Sequence, residues 1–181
     1  MKPIRVLLDM DGVLVDFAAQ YEKINGTLPL NVYQPGASRS PEKELLWNRY
    51  VDQAGFEDAP LHAGALDLIS HVMTLLATEQ ISAIEICSSA GGKARHIEVT
   101  HQKNVWLKLH DLSFLTAHIV QNGFKKVDVI DNERYHDILI DDTEMVIANF
   151  RKHGGYAILH TSASDTIVKL DFLVNKLYGT K

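Results

Sequence analysis

The sequence predicts an α/β fold: a parallel sheet of about five strands, covered by helices on both faces, with a small insertion after the first strand. Short apolar runs without strict alternation read as strands buried on both faces. Amphipathic helical stretches separate them, and such alternation implies parallel strands joined by crossover helices. Only residues 17–60 break the pattern, and they hold four of the five prolines.

In chain order, Ile4-Arg5-Val6-Leu7-Leu8 is the first strand. The segment 17–60 follows, with the run Gln34-Pro35-Gly36-Ala37-Ser38-Arg39-Ser40-Pro41 and one helical patch around Leu45, Leu46, Trp47 and Tyr50. It is too long for a plain connection and too apolar for a linker, so it reads as an insertion folded over the top of the sheet. Residues 61–77 place Leu61, Ala65, Leu68, Ile69, Val72, Leu75 and Leu76 on one helical face. Ala83-Ile84-Glu85-Ile86-Cys87 is the second strand, and 99–109 is a helix built around Val105, Trp106 and Leu109. The third strand, His118-Ile119-Val120, stops at the turn signal Asn122-Gly123. Ile138-Leu139-Ile140 is the fourth, followed by a helix over 143–153 that ends at Gly154-Gly155. Ala157-Ile158-Leu159 is the fifth, and Ser162-Ala163-Ser164-Asp165 opens a last helix to about residue 178.

The 181 residues fit one domain, 1–181, carrying the insertion at about 17–60. With 46% apolar residues the chain can build a core, which excludes a disordered protein. A formal net charge of −5 argues against a surface that coats a nucleic-acid polymer. The single cysteine, Cys87, cannot form an internal disulfide and fits a reducing compartment. No apolar run reaches membrane-spanning length, so a cytoplasmic protein without a membrane partner is expected. The nine histidines show no metal-binding spacing and read as surface or locally satisfied residues.

Three motifs carry chemistry. In Leu7-Leu8-Asp9-Met10-Asp11-Gly12-Val13-Leu14-Val15-Asp16 a buried strand runs into two aspartates one residue apart. A desolvated carboxylate is costly without a cation or several donors, so a plain Asp/Gly turn is the weaker reading. A calcium loop would need Gly and Glu where Leu14 and Gln20 stand. In Ile86-Cys87-Ser88-Ser89-Ala90-Gly91-Gly92, hydroxyls and a flexible loop end the second strand, where they can hold phosphate oxygens. Asp137-Ile138-Leu139-Ile140-Asp141-Asp142-Thr143 ends the fourth strand in two acids, more than a helix cap requires. All three lie at the carboxyl edge of the sheet, where open α/β folds bind ligands. Asp9, Asp11, Asp141 and Asp142 would there form an acidic nest for Mg²⁺, with Ser88 and a lysine holding a phosphate beside it.

These stretches, with Gln102-Lys103-Asn104-Val105-Trp106-Leu107, Gly55-Phe56 and Ile158-Leu159-His160-Thr161-Ser162, resemble the haloacid dehalogenase superfamily, and within it the 5′-nucleotidase and deoxyribonucleotidase branch. The resemblance implies a three-layer Rossmann-like fold and a Mg²⁺-dependent phosphatase acting on a small phosphomonoester. A (deoxy)nucleoside monophosphate is the leading substrate and a sugar phosphate the alternative; a non-catalytic phosphate-binding protein is a third reading. It implies Asp9 as the nucleophile that forms an aspartyl-phosphate, and Asp11 as the acid that later becomes the base. Asp9, the Asp11 carbonyl and Asp142 would bind Mg²⁺, with Asp141 outside them; Ser88, Ser89 and Lys103 would bind phosphate. Lys125 and Lys126 are alternatives to Lys103. Trp47 and Phe56 in the insertion are expected either to meet the substrate's organic part or to form the insertion's own small core.

Overall fold

The structure, a computed structural model, describes residues 2–29 and 40–179. Its five strands are β1 (Ile4–Leu8), β2 (Ala83–Ser89), β3 (Thr116–Val120), β4 (His136–Asp141) and β5 (Tyr156–Leu159). All pair in parallel, in the order β3-β2-β1-β4-β5. The order reverses beside β1, which opens a crevice at its carboxyl end. Register completes the arrangement, because Leu8 pairs with both Ile86 and Ile140. Asp9, Cys87-Ser88 and Asp141 therefore leave the sheet at the same height.

The described residues form six α-helices: α1 (Phe17–Asn25), α2 (Pro41–Asp52), α3 (Ala65–Ala77), α4 (His96–Leu109), α5 (Glu144–Lys152) and α6 (Ala163–Gly179). Every residue of β1 is buried, as expected for a central strand between two layers. Val6 and Leu8 join the large core formed with Leu68 and Val72 of α3, Trp106 of α4, and Leu170 and Val174 of α6. Leu7 points the other way, onto Val146, Ile147 and Phe150 of α5. This is the three-layer arrangement expected.

One link departs from the alternation. β3 and β4 are joined by a 3₁₀ helix, Gly123–Val129, instead of a long α-helix. Arg5, on the same face of β1 as Leu7, ties this link down. Its guanidinium donates to Asp137 at 2.7 Å, to Glu85 at 3.0 Å and to the Val129 carbonyl at 2.8 Å. Asp137 also accepts from the Asp131 amide at 2.7 Å. Buried charges survive when each is paired and hydrogen-bonded, and here the pairing fixes the end of the 3₁₀ helix.

Helix α3 begins at Ala65 instead of residue 61, because Leu61 bridges Val15 and Gly64 adopts a left-handed conformation (φ 76°). Among the described residues between β1 and α3, none adds a strand to the sheet. Helix α1, absent from the sequence reading, starts where Asp16 caps the Ala19 amide at 3.0 Å and stops at left-handed Gly26. Helix α2 covers the anticipated patch, with Ser40 as cap and Pro41 in its first turn. The two helices meet through Phe17, Tyr21, Trp47, Tyr50 and Phe56, a cluster whose ring centroids lie 4.9–6.3 Å apart. The Gln34-to-Arg39 run lies outside the described residues. Among the described residues no helix is long and apolar enough to cross a membrane.

Candidate active site

The loop after β1 is wound around a buried methionine. The Met10 carbonyl accepts from the amides of Val13, Leu14 and Val15 at 2.8–3.1 Å, and Met10 itself is 1% exposed. With Met10 drawn into the core, Asp9 and Asp11 on either side are turned towards the cleft. Gly12 (φ 74°) has no substitute here: a Cβ would lie 2.1 Å from Oδ2 of Asp142. The first and third motifs thus touch through a glycine.

The sequence left open which lysine serves the site, and two of the three reach it. Lys126 Nζ lies 2.8 Å from Asp9 Oδ2 and 2.6 Å from Asp141 Oδ2. Lys103 Nζ lies 2.7 Å from Asp11 Oδ2 and donates to Ser88 Oγ at 2.8 Å. Both lysines are buried, as are Ser88, Asp9 and Asp141. Lys125 borders the cleft but does not reach the carboxylates; it is exposed and pairs with Asp128 at 3.3 Å. The turn cap at Asn122, which accepts from the Phe124 amide at 3.1 Å, aims Lys126 inward. Asn122-Gly123 marked the turn in the sequence, but its 3₁₀ phase was not legible there.

The two aspartates of the first loop are pushed in opposite directions. Burial would raise Asp9, but Lys126 and then Lys103, with hydrogen bonds from Lys126 and Ser88, outweigh it and hold the carboxyl below its ordinary value. For Asp11, burial prevails over Lys103, helped by repulsion from Asp9, and the carboxyl is held above its ordinary value. One oxygen of Asp11, Oδ1, is buried and has no hydrogen-bond partner. The two neighbouring carboxyls are thus pushed apart, Asp9 downwards and Asp11 upwards.

Asp141 and Asp142 also part ways. Asp141 is buried and accepts from the Thr143 amide at 2.8 Å as well as from Lys126; burial pushes it up against the pull of that lysine. Asp142 stays exposed, yet crowding by protein and then repulsion from Asp9 and Asp141 push it up to about 7. Since Asp142 keeps solvent contact, the repulsion is the part that a cation would reverse. Carboxylate oxygens of Asp9, Asp141 and Asp142 lie within 4.8 Å of one another. An all-oxygen, strongly anionic set fits a hard divalent ion such as Mg²⁺. The side chain of Asp11 stands apart from this set, on Lys103.

Above these groups opens a cleft of about 1340 Å³, bordered by Asp9, Asp11, Ser89, Asp142, Trp47 and His160 among others. Trp47 is half-buried and lines it. Phe56 is 2% exposed, inside the aromatic cluster, with Lys103 Nζ 4.8 Å from its ring centroid. Phe17 and Tyr21 also border the cleft and were not singled out from the sequence. Phe17 follows directly on the first motif, and that position was the available clue.

Neither a protein-family model nor a curated protein matches the sequence. Solved structures do. The HAD-hydrolase YfnB from Bacillus subtilis, bound to magnesium, aligns at 15% identity and a TM-score of 0.62, over 97% of this chain and 100% of its own. A hydrolase from Streptococcus pneumoniae TIGR4 aligns at 15% identity and a TM-score of 0.54, over 94% of this chain and 100% of its own. L-2-haloacid dehalogenase from Xanthobacter autotrophicus, with chloropropionic acid covalently bound, aligns at 12% identity and a TM-score of 0.51, over 97% and 88%. The chain has the haloacid dehalogenase fold. In that fold the Asp9 loop, Ser88 and the Asp141-Asp142 pair meet at one sheet edge, as the sequence motifs anticipated.

Proposed function

We infer that the chain is a Mg²⁺-dependent phosphatase of small phosphomonoesters that works through an aspartyl-phosphate on Asp9. The carrying observation is the geometry of the pair: Asp9 lies 2.8 Å from Lys126 with its carboxyl held down, and Asp11 lies 2.7 Å from Lys103 with its carboxyl held up and Oδ1 unpartnered. Asp9 would attack phosphorus while the bond to the leaving oxygen breaks, and Asp11 would give that oxygen a proton. Asp11 would then take a proton from water as it cleaves the acyl phosphate, regenerating both carboxyls. In the free protein Lys103 bonds Asp11 and Ser88. A phosphoryl group at Ser88 and Ser89 would draw that ammonium away, which removes the chief influence lowering Asp11 and favours its protonation. Mg²⁺ held by Asp9, the Asp11 carbonyl and Asp142 would supply charge that offsets repulsion between Asp9 and the phosphoryl oxygens. Magnesium in the YfnB structure supports that assignment. Release of phosphate from an aryl phosphate, present with Mg²⁺ and absent with chelator, tests the reading; no turnover in either would sink it.

The metal roles separate by titration. Asp142→Ala is expected to raise the Mg²⁺ concentration for half-maximal activity by at least about tenfold. Asp141→Asn, which removes an anchor of Lys126, is expected to lower kcat with a smaller shift in Mg²⁺ demand. The reverse order would exchange the two roles.

Residues 17–60 would form a cap, and the aromatic side of the cleft supports a nucleoside monophosphate as substrate. Base stacking on an aromatic is worth roughly 1–3 kcal/mol. Trp47→Ala is therefore expected to raise KM about tenfold for a preferred nucleotide while barely moving acetyl phosphate. Phe56→Ala is expected to cost about 3–5 kcal/mol of stability and to impair both substrates, because its ring is buried. A phosphomonoester screen that prefers sugar phosphates would replace the nucleotide and leave the chemistry in place.

A further inference from the structure

Helix α4 serves the site twice. Lys103 reaches the catalytic groups, while Gln102 and Trp106 hold the chain that passes above them. Gln102 is 8% exposed, and both ends of its amide are engaged. Nε2 donates to the Val51 carbonyl at 2.7 Å, and Oε1 accepts from the Phe56 amide at 3.3 Å. Trp106 Nε1 donates to the Ala59 carbonyl at 2.8 Å. Between these anchors the backbone turns sharply. Ala54 has φ 53°, and a Cβ on Gly55 would lie 2.5 Å from the Tyr50 ring, whose hydroxyl donates to the Gly55 carbonyl at 2.8 Å.

The turn delivers Phe56. Its ring stacks on Phe17 at 5.8 Å, meets Trp47 edge-on at 5.6 Å and lies under Lys103. One ring is thus the common support of the phosphate-side lysine and of two aromatics bordering the cleft. We propose that Gln102 is a positioning residue that sets substrate selectivity. Its amide latches the 51–56 turn to α4 and so fixes the distance from Lys103 to the aromatic wall. The proposal rests on the phosphatase reading above. A helix transmits position with little slack, and Lys103 is the next residue, so movement of the turn on α4 is movement relative to the phosphate. Glutamine suits the task because one planar group supplies the donor and the acceptor; glutamate offers only acceptors, and methionine offers neither strongly. A phosphomonoester whose organic part reaches the wall depends on that distance. A small acyl phosphate does not reach it.

Gln102→Met keeps length and volume and removes both bonds. The ratio of kcat/KM for p-nitrophenyl phosphate to that for acetyl phosphate is expected to fall about tenfold, chiefly through KM for the aryl ester. Gln102→Glu, which keeps an acceptor for the Phe56 amide, is expected to fall less. A loss shared equally by both substrates, or an unchanged ratio, overturns the proposal. Should Gln102→Met not fold, Gln102→Glu carries the same test with a smaller expected shift. Hydrogen exchange across residues 51–56, read without turnover, is expected to quicken in either folded variant; unchanged exchange also overturns the latch. If the wild type turns over neither substrate, the phosphatase reading fails by itself and exchange alone decides the latch.

Discussion

Asp9→Asn is expected to lower kcat by at least about 10³-fold while the protein stays folded. Asparagine keeps the oxygen that accepts from the Met10 amide at 2.8 Å, so the turn into the loop survives. What is lost is the anionic oxygen that faces Lys126 at 2.8 Å. An amide is a poor nucleophile and a weak ligand for a hard cation, so covalent attack and metal binding fail together. Lys126 retains Asp141 at 2.6 Å, and Asp11 and Asp142 lose a repelling neighbour. Stability should therefore change far less than turnover. The check is phosphate release beside a thermal melt of the same preparation. Turnover near wild type would remove the covalent route, and a collapsed melt would remove the claim that Asp9 acts chemically.

The sheet and its edge were legible because each strand announced itself twice, as an apolar run and by what followed it. Leu8 gives way to Asp9, Cys87 to Ser88, and Ile140 to Asp141, so these polar residues marked the site; only at β1 did they mark the boundary, since β2 runs on to Ser89 and β4 to Asp141. Lys103 was legible through its place three residues before Trp106, which the structure buries in the main core. Lys126 was harder, because a 3₁₀ turn has no long periodicity and two adjacent lysines offer the same chemistry to a sequence reader. The cap at Asn122, the grip of Arg5 on Val129 and the Asn149 bond to the Phe124 carbonyl hold the turn in which Lys126 points inward. Helix α1 was hidden for a related reason. Its buried residues, Gln20 and Tyr21, include a polar one, so no apolar stripe declares it. Phe56 shows the remaining limit: sequence gave it two roles, and burial within the aromatic cluster makes it a support for Lys103 and Trp47.

Lys126→Met is expected to produce a large loss of stability, and one that reverses with pH. In the wild type Lys126 lies between Asp9 and Asp141, and those two carboxylates raise its own affinity for a proton despite burial. Methionine fills much of the same space but leaves two buried carboxyls facing each other. Removing one partner of a buried charge cluster costs about 3–5 kcal/mol, the loss expected at pH 7 in metal-free buffer. The pH dependence follows from which state binds protons. In the wild type Asp9 lies below its ordinary value, so its contribution is present above the carboxylate range and is lost as pH falls through its folded value. Without Lys126, burial and mutual repulsion place Asp9 above that range, joining Asp141, which is already raised. The folded variant then takes up protons that the unfolded chain does not, so its stability rises as pH falls from 7 towards the ordinary carboxylate values. Mg²⁺ should recover part of the loss by binding only the folded form, by about 2.7 kcal/mol at a hundredfold excess over Kd. Turnover should stay reduced by about 10²-fold, since a positioned cation next to the nucleophile is gone. Chemical denaturation at pH 5 and pH 7, with Mg²⁺ and with chelator, reads all four conditions. A variant as stable as wild type at pH 7 without metal, or one that weakens on acidification, would mean that Lys126 does not hold the two carboxylates together.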